Sequence, residues 1–255
     1  MKKLLTAGAA AGILLAAGAC GRKTPPPAPP ATELVIFCGG SFQKPVEELR
    51  AKFTTATGIP TIMSVGGSED FLPVVTTAGK GDVLITHDPF LDYVRDAGRL
   101  GAHARVGTVA PVLAVRKGNP LKLEKIEDLA REGLRVALPD PKYSTCGEMV
   151  DHLLVKKGIR DGVMKNVGTR LTKGHGPIGT FLQTDAVDAA IMWNGVACTF
   201  RESVDIVKTD EVYDREIGVH VIGLNYTKSP GLLAKFMAFA GKEGENIFKE
   251  HGYAK

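Results

Sequence analysis

Two short glycine–serine junctions constrain this chain more than any other feature. Leu34-Val35-Ile36-Phe37 runs into Cys38-Gly39-Gly40-Ser41, and Ile62-Met63-Ser64-Val65 runs into Gly66-Gly67-Ser68. Each apolar run reads as a strand, and each serine stands where a helix begins. Glycine lets backbone N–H groups approach a neighbour closely, and a helix N-terminus carries unpaired N–H groups with partial positive charge. Two such junctions, each ending in a hydroxyl, predict a pocket for a small anion. Either serine alone is equally a plain helix cap.

The same strand–turn–helix grammar continues along the chain and predicts an α/β fold with largely parallel sheets. Helices are expected over 45–57, after Ser68, and over 90–97, 126–131, 146–157, 178–184 and 231–249. Strands are expected over 82–86, 109–115, 135–138, 189–193, 204–207 and 220–224. Thr145-Cys146-Gly147-Glu148 fits a capping box, with Thr145 as N-cap and Glu148 reaching back. The pattern repeats after the turn Lys117-Gly118-Asn119-Pro120. Two lobes follow, residues 33–114 with 208–255 and residues 115–207, with a hinge and a ligand cleft between them.

The N-terminus carries a different message. Lys2-Lys3 precedes an apolar, alanine-rich run, and Leu15-Ala16-Ala17-Gly18-Ala19-Cys20 supplies small residues before a cysteine. Residues 1–19 read as an export signal. The cysteine motif resembles the lipobox of bacterial lipoproteins, with Ala17 where leucine is usual, and implies acylation of Cys20. Residues 20–32 hold a proline-rich spacer, Thr24-Pro25-Pro26-Pro27-Ala28-Pro29-Pro30-Ala31, which can join neither helix nor sheet. The localisation expected is extracytoplasmic, anchored to a bacterial membrane. The formal charge is +4, two of it from Lys2 and Lys3. No basic stripe with interleaved aromatics exists, so nucleic acid is excluded as a partner. No cofactor is implied, and a monomer is expected.

The chain resembles two-lobed solute-binding proteins of bacterial ABC transporters, closest to their molybdate-binding branch. Besides the two junctions, the resemblance rests on Asp82-Val83-Leu84-Ile85-Thr86-His87-Asp88, Ala137-Leu138-Pro139-Asp140-Pro141 and Asp188-Ala189-Ala190-Ile191-Met192-Trp193. It implies the type II periplasmic binding protein fold, an oxyanion ligand such as molybdate, tungstate or sulfate, and delivery to an ABC permease. It implies binding rather than catalysis. Carried over, Ser41 and Ser68 match the two serines that hold the anion, beside backbone donors near Gly40 and Gly67. Cys146 matches a backbone donor, a further donor falls near Ile178, and Trp193 stands at a tyrosine position. Cys38, His87, Thr145 and Asn194 fall near the same pocket.

Cys38, Cys146 and His87 replace small residues of that pattern. Thiolates and imidazoles suit copper, zinc or arsenite, so a soft-metal or thiophilic ligand held by Cys38, His87 and Cys146, with His175 as a further imidazole, is the alternative. A third reading makes Cys146 a nucleophile at a helix N-terminus, with a lowered pKa and His175 as its base. Glu69 and Asp70 suit a helix dipole and are expected to point away from the anion. Asp82 and Asp88 are expected to tie strand ends rather than catalyse.

Overall fold

The computed structural model describes residues 33–211 and 213–253. The export segment, Cys20 and the proline-rich spacer lie outside these residues.

The first half delivers the anticipated units. Strand β1 (Leu34–Gly39) leads through a 3-10 turn into helix α1 (Gln43–Thr57). Pro45, Val46, Leu49 and Phe53 form the buried face of α1, and Gly58 ends it in the left-handed region at φ 71°. Then come β2 (Thr61–Gly66), α2 (Ser68–Thr76), β3 (Val83–His87), α3 (Phe90–Asp96) and β4 (Leu100–Val109). The second half holds β5 (Pro111–Arg116), a 3-10 turn (Ile126–Ala130), β6 (Val136–Pro139), α4 (Thr145–Lys156) and α5 (Arg160–Val167). It continues with β7 (Leu171–Thr172), α6 (His175–Gln183), β8 (Ala189–Trp193), α7 (Asn194–Thr199) and β9 (Val204–Val207). The chain returns through β10 (Ile217–Leu224) and closes with α8 (Pro230–Glu250).

Two five-stranded sheets share one plan, ordered β2-β1-β3-β10-β4 and β7-β6-β8-β5-β9. The first three strands of each order are parallel, as the alternating grammar predicts. The remaining pairs are antiparallel, so both sheets are mixed. The reason is the path of the chain. β1, β2, β3, β6 and β8 run toward the space between the sheets, whereas β5 and β10 carry the chain back out of it. The run 109–115, expected as one strand, is split at Ala110, where the chain changes sheets. All of β5 therefore sits in the second sheet.

Burial explains the rest. Phe53 stacks edge-on against Phe236 of α8, with ring centroids 5.0 Å apart, on one face of the first sheet. Leu84, Leu91, Val94 and Ile222 fill the other face. Strand β4 was unforeseen over 100–108 because His103 and Arg105 interrupt its apolar pattern on an exposed stretch. The capping box is a correction. Helix α4 starts one residue early, Ser144 is its N-cap, and Gly147 N–H donates to Ser144 Oγ at 3.4 Å. Glu148 pairs instead with Arg215 at 2.9 Å.

Candidate ligand cleft

The inward ends of the two sheets enclose a cleft of about 370 Å³. From the first sheet come residues 39–43, 65–70, His87 and Phe90; from the second come residues 143–145, 173–177 and Trp193. The volume lies in the usual range for small-molecule sites.

The glycines let these pieces meet. A Cβ on Gly39 would stand 3.0 Å from Ser68 Oγ, so the end of β1 passes close against Ser68. A Cβ on Gly147 would stand 2.5 Å from the Pro139 carbonyl oxygen, so the first turn of α4 docks directly on the end of β6. That contact aims the start of α4 at the cleft.

Gly40, Ser41, Gly67, Ser68, His87, Thr145 and Trp193 all line the wall. The Ser41 carbonyl accepts the Tyr253 hydroxyl, while its own hydroxyl has no partner among the described residues. Ser68 is buried, and Thr86 Oγ1 donates to its Oγ at 2.7 Å. That bond leaves the Ser68 proton to point elsewhere. The floor is aromatic. Trp193 stacks on His175 with centroids 5.5 Å apart and meets the His87 ring edge-on at 5.8 Å. Burial pushes the His175 pKa down to about 3, and burial also lowers that of His87, so both rings are neutral at pH 7.

Charge at the mouth departs from expectation. Glu69 and Asp70 line the cleft rather than pointing away. Lys173 Nζ lies 2.9 Å from Asp70 Oδ1 and 3.7 Å from Glu69 Oε1, and 5.8 Å from the Tyr143 ring centre. Lys173, Tyr143 and Ser144 carry no sequence signal as cleft residues, and His175, weighed only as a metal-binding imidazole or a base, lines the floor. The usable signal was Gly174 before His175-Gly176-Pro177, since proline is favoured in the first turn of a helix.

Four expected residues stand elsewhere. Cys38 and Cys146 are fully buried and absent from the wall. Burial pushes both thiols well above their ordinary pKa, so neither is a ready thiolate. Among the described residues, no three His, Cys, Asp or Glu side chains converge on a metal position. The Cys38, His87, Cys146 metal set and the Cys146 nucleophile are both overturned by this burial. Cys38, Cys146 and Cys198 are free thiols. Ile178 is fully buried inside α6, which starts at His175; its free N–H groups belong to His175 and Gly176. Asn194 holds the crossing instead. It accepts from Ala110 N–H through Oδ1 at 3.1 Å and donates to the Gly252 carbonyl at 2.8 Å.

Asp82 and Asp88 are ties, as expected. Asp82 accepts from Val35 N–H at 2.9 Å, and Asp88 accepts from Gly218 N–H at 2.8 Å and pairs with His220 at 3.0 Å.

Two like-plan sheets joined by two crossings, with a cleft lined by helix starts, define a two-lobed binding protein. The chain belongs to the bacterial extracellular solute-binding protein family, whose model matches residues 34–254. The molybdate-binding protein ModA of Mycobacterium tuberculosis is 26% identical over 260 residues, covering 95% of each chain. The Azotobacter vinelandii periplasmic molybdate-binding protein superposes with a TM-score of 0.71 at 18% identity, over 88% of this chain and 99% of its own. The sulfate-binding protein SubI of Mycobacterium tuberculosis gives a TM-score of 0.70 at 17% identity, over 88% and 86%. The relatives are binding proteins, not enzymes.

Proposed function

We propose that this protein captures a small oxyanion of the molybdate, tungstate or sulfate kind outside the cytoplasm and delivers it to an ABC importer, held to the membrane by lipid on Cys20. The observation that carries the reading is the pairing of two hydroxyls, Ser41 and Ser68, on one wall with the starts of α4 and α6 on the other. Ser41, Ser68, the N–H groups near Gly40 and Gly67, those of Thr145, His175 and Gly176, and the Trp193 indole N–H replace the anion's water shell. Hydrogen bonds to an ionised acceptor are roughly twice as strong as neutral ones, so several together offset desolvation. Thr145, His175 and Gly176 take the places first assigned to Cys146 and Ile178. Closure of the lobes completes the shell and marks the protein as loaded.

A thermal-shift screen with molybdate, tungstate, sulfate, phosphate, arsenite, copper and zinc tests this. Oxyanions are expected to raise the melting temperature, and Ser41→Ala to remove most of that rise without altering the ligand-free value. A rise with metals alone, or one indifferent to Ser41→Ala, would overturn the assignment.

A further inference from the structure

The cleft floor holds a lone pair where an anion site needs donors. His87 Nδ1 lies 2.6 Å from the Asp88 carbonyl oxygen, which only accepts. Nδ1 therefore carries the proton of the neutral ring, and Nε2 keeps a lone pair. Nε2 has no partner among the described residues, and it is not sealed in. The buried side-chain polar atoms without partners there are Arg116 Nε, His220 Nδ1 and Ser229 Oγ. His87 is 9% exposed and lines the cleft, so that remaining surface is where Nε2 meets a ligand. His175 has the opposite tautomer. Trp193 N–H donates to its Nδ1 at 3.4 Å, which leaves the proton on Nε2 as a donor.

The inner wall thus offers hydroxyls, backbone N–H groups and the His175 N–H as donors, and one imidazole acceptor. The lining hydroxyls and the Gln43 amide can turn a proton to the ligand, and the carboxylates Glu69 and Asp70 sit at the mouth engaged by Lys173, whereas Nε2 of neutral His87 can only accept. Sulfate and molybdate carry no proton at neutral pH. Against either, the His87 lone pair would face another lone pair. An oxyanion with one remaining O–H donates that hydrogen bond to Nε2 and accepts from the wall donors at its other oxygens.

We propose that His87 makes the cleft selective for an oxyanion that still carries a proton, such as hydrogen phosphate, hydrogen arsenate or a phosphonate monoanion. This rests on the tetrahedral-oxyanion reading of the cleft but departs from molybdate, tungstate and sulfate, the examples given with that reading, which carry no proton at neutral pH. A site built to bond a ligand hydroxyl rejects an analogue lacking it, because its own group is left unpaired.

Calorimetric titration of the full chain with phosphate, arsenate, methylphosphonate, sulfate and molybdate at neutral pH tests it. Phosphate, arsenate and methylphosphonate are expected to bind at least about tenfold tighter than sulfate or molybdate. In His87→Gln, whose amide can turn an N–H to the ligand, that ratio should fall to near one. Sulfate or molybdate binding as tightly as phosphate to the unaltered protein would overturn the proton selectivity and leave the oxyanion reading standing. Binding of none of the five would overturn both. A ratio unchanged in His87→Gln would remove His87 from the role. Nitrogen-15 NMR of the unaltered protein gives a readout independent of that variant's folding. His87 should carry its proton on Nδ1, and phosphate should shift Nε2 as a hydrogen-bond acceptor. A proton on His87 Nε2 in the phosphate complex would contradict the proposal.

Discussion

Lys173 Nζ lies 2.9 Å from Asp70 Oδ1, so a side chain carried by the second sheet closes an ion pair with a helix of the first across the cleft mouth. Both partners are about half exposed, so water screens the pair and it adds little to stability. Its larger effect is on the anion. Without Lys173, two carboxylates at the mouth lose their counter-charge. Lys173→Gln is expected to leave the melting temperature unchanged and to weaken oxyanion binding by about fivefold. The loss should shrink as salt is added, because surface charges are screened. Titration at low and high ionic strength checks this, and equal affinities at low salt would contradict it.

The two serines should separate in their effects. Ser41 Oγ has no partner among the described residues, whereas Ser68 Oγ receives the buried Thr86 hydroxyl. Ser41→Ala is expected to change affinity alone. Ser68→Ala should lower affinity and also cost about 1–2 kcal/mol of stability, because Thr86 loses its acceptor. Urea denaturation of the ligand-free variants measures the difference. Equal stabilities would contradict the Thr86–Ser68 account.

The neutral floor histidines make stability depend on acid. The unfolded chain takes up a proton at each histidine near pH 6.5, while burial delays this in the native state, for His175 down to about 3. A depressed histidine pKa contributes stability that is complete above about pH 6.5 and is lost progressively as the pH falls toward the folded value. His175 should add a slope approaching about 1.4 kcal/mol per pH unit between those values, and His87 adds in the same direction. Denaturation curves of the ligand-free protein between about pH 7 and pH 5 should steepen this way, and His175→Asn should flatten them. A flat profile in the unaltered protein would contradict the burial of these rings.

Much of the fold was legible because its strands alternate with helices. Ala189–Trp193 and Val204–Val207 fall where the apolar runs put them. The crossing between the sheets was hidden for the same reason. Val109 and Pro111 belong to one apolar run, and the change of sheet between them shows only in the pairing, Val109 with Ile217 and Pro111 with Trp193. The glycine–serine junctions marked one wall of the cleft correctly in position. Of the other wall, Thr145 and Trp193 were legible, whereas Lys173 and Tyr143 lie in loops without periodicity. Sequence position also placed Cys38 and Cys146 beside the cleft but could not tell the inward face of a strand or helix end from the outward one.

Asp188 should matter for stability and not for the ligand. It is buried, accepts from Arg135 N–H, Nε and a terminal nitrogen at 2.6–3.0 Å, and pairs with Arg116 at 3.0 Å. The Arg135 guanidinium bonds and charge hold its carboxyl below the usual range. That contribution is present above about pH 4 and is lost as the pH falls through the depressed value. Asp188→Asn is expected to cost about 2–3 kcal/mol, with Arg135 partly screened by water. Ligand affinity should be unchanged, because Asp188 is not part of the cleft wall. A melting temperature within a degree of the unaltered protein would contradict the account.

The proposed oxyanion site between the two sheets depends on Ser41 and Ser68. Calorimetric titration of the protein and of Ser41→Ala/Ser68→Ala with the same oxyanion panel tests it most directly. At least one oxyanion is expected to bind at a single site, and the double variant to lose about a hundredfold or more in affinity. Binding of equal strength in the double variant, or no binding of any oxyanion to the unaltered protein, would contradict it.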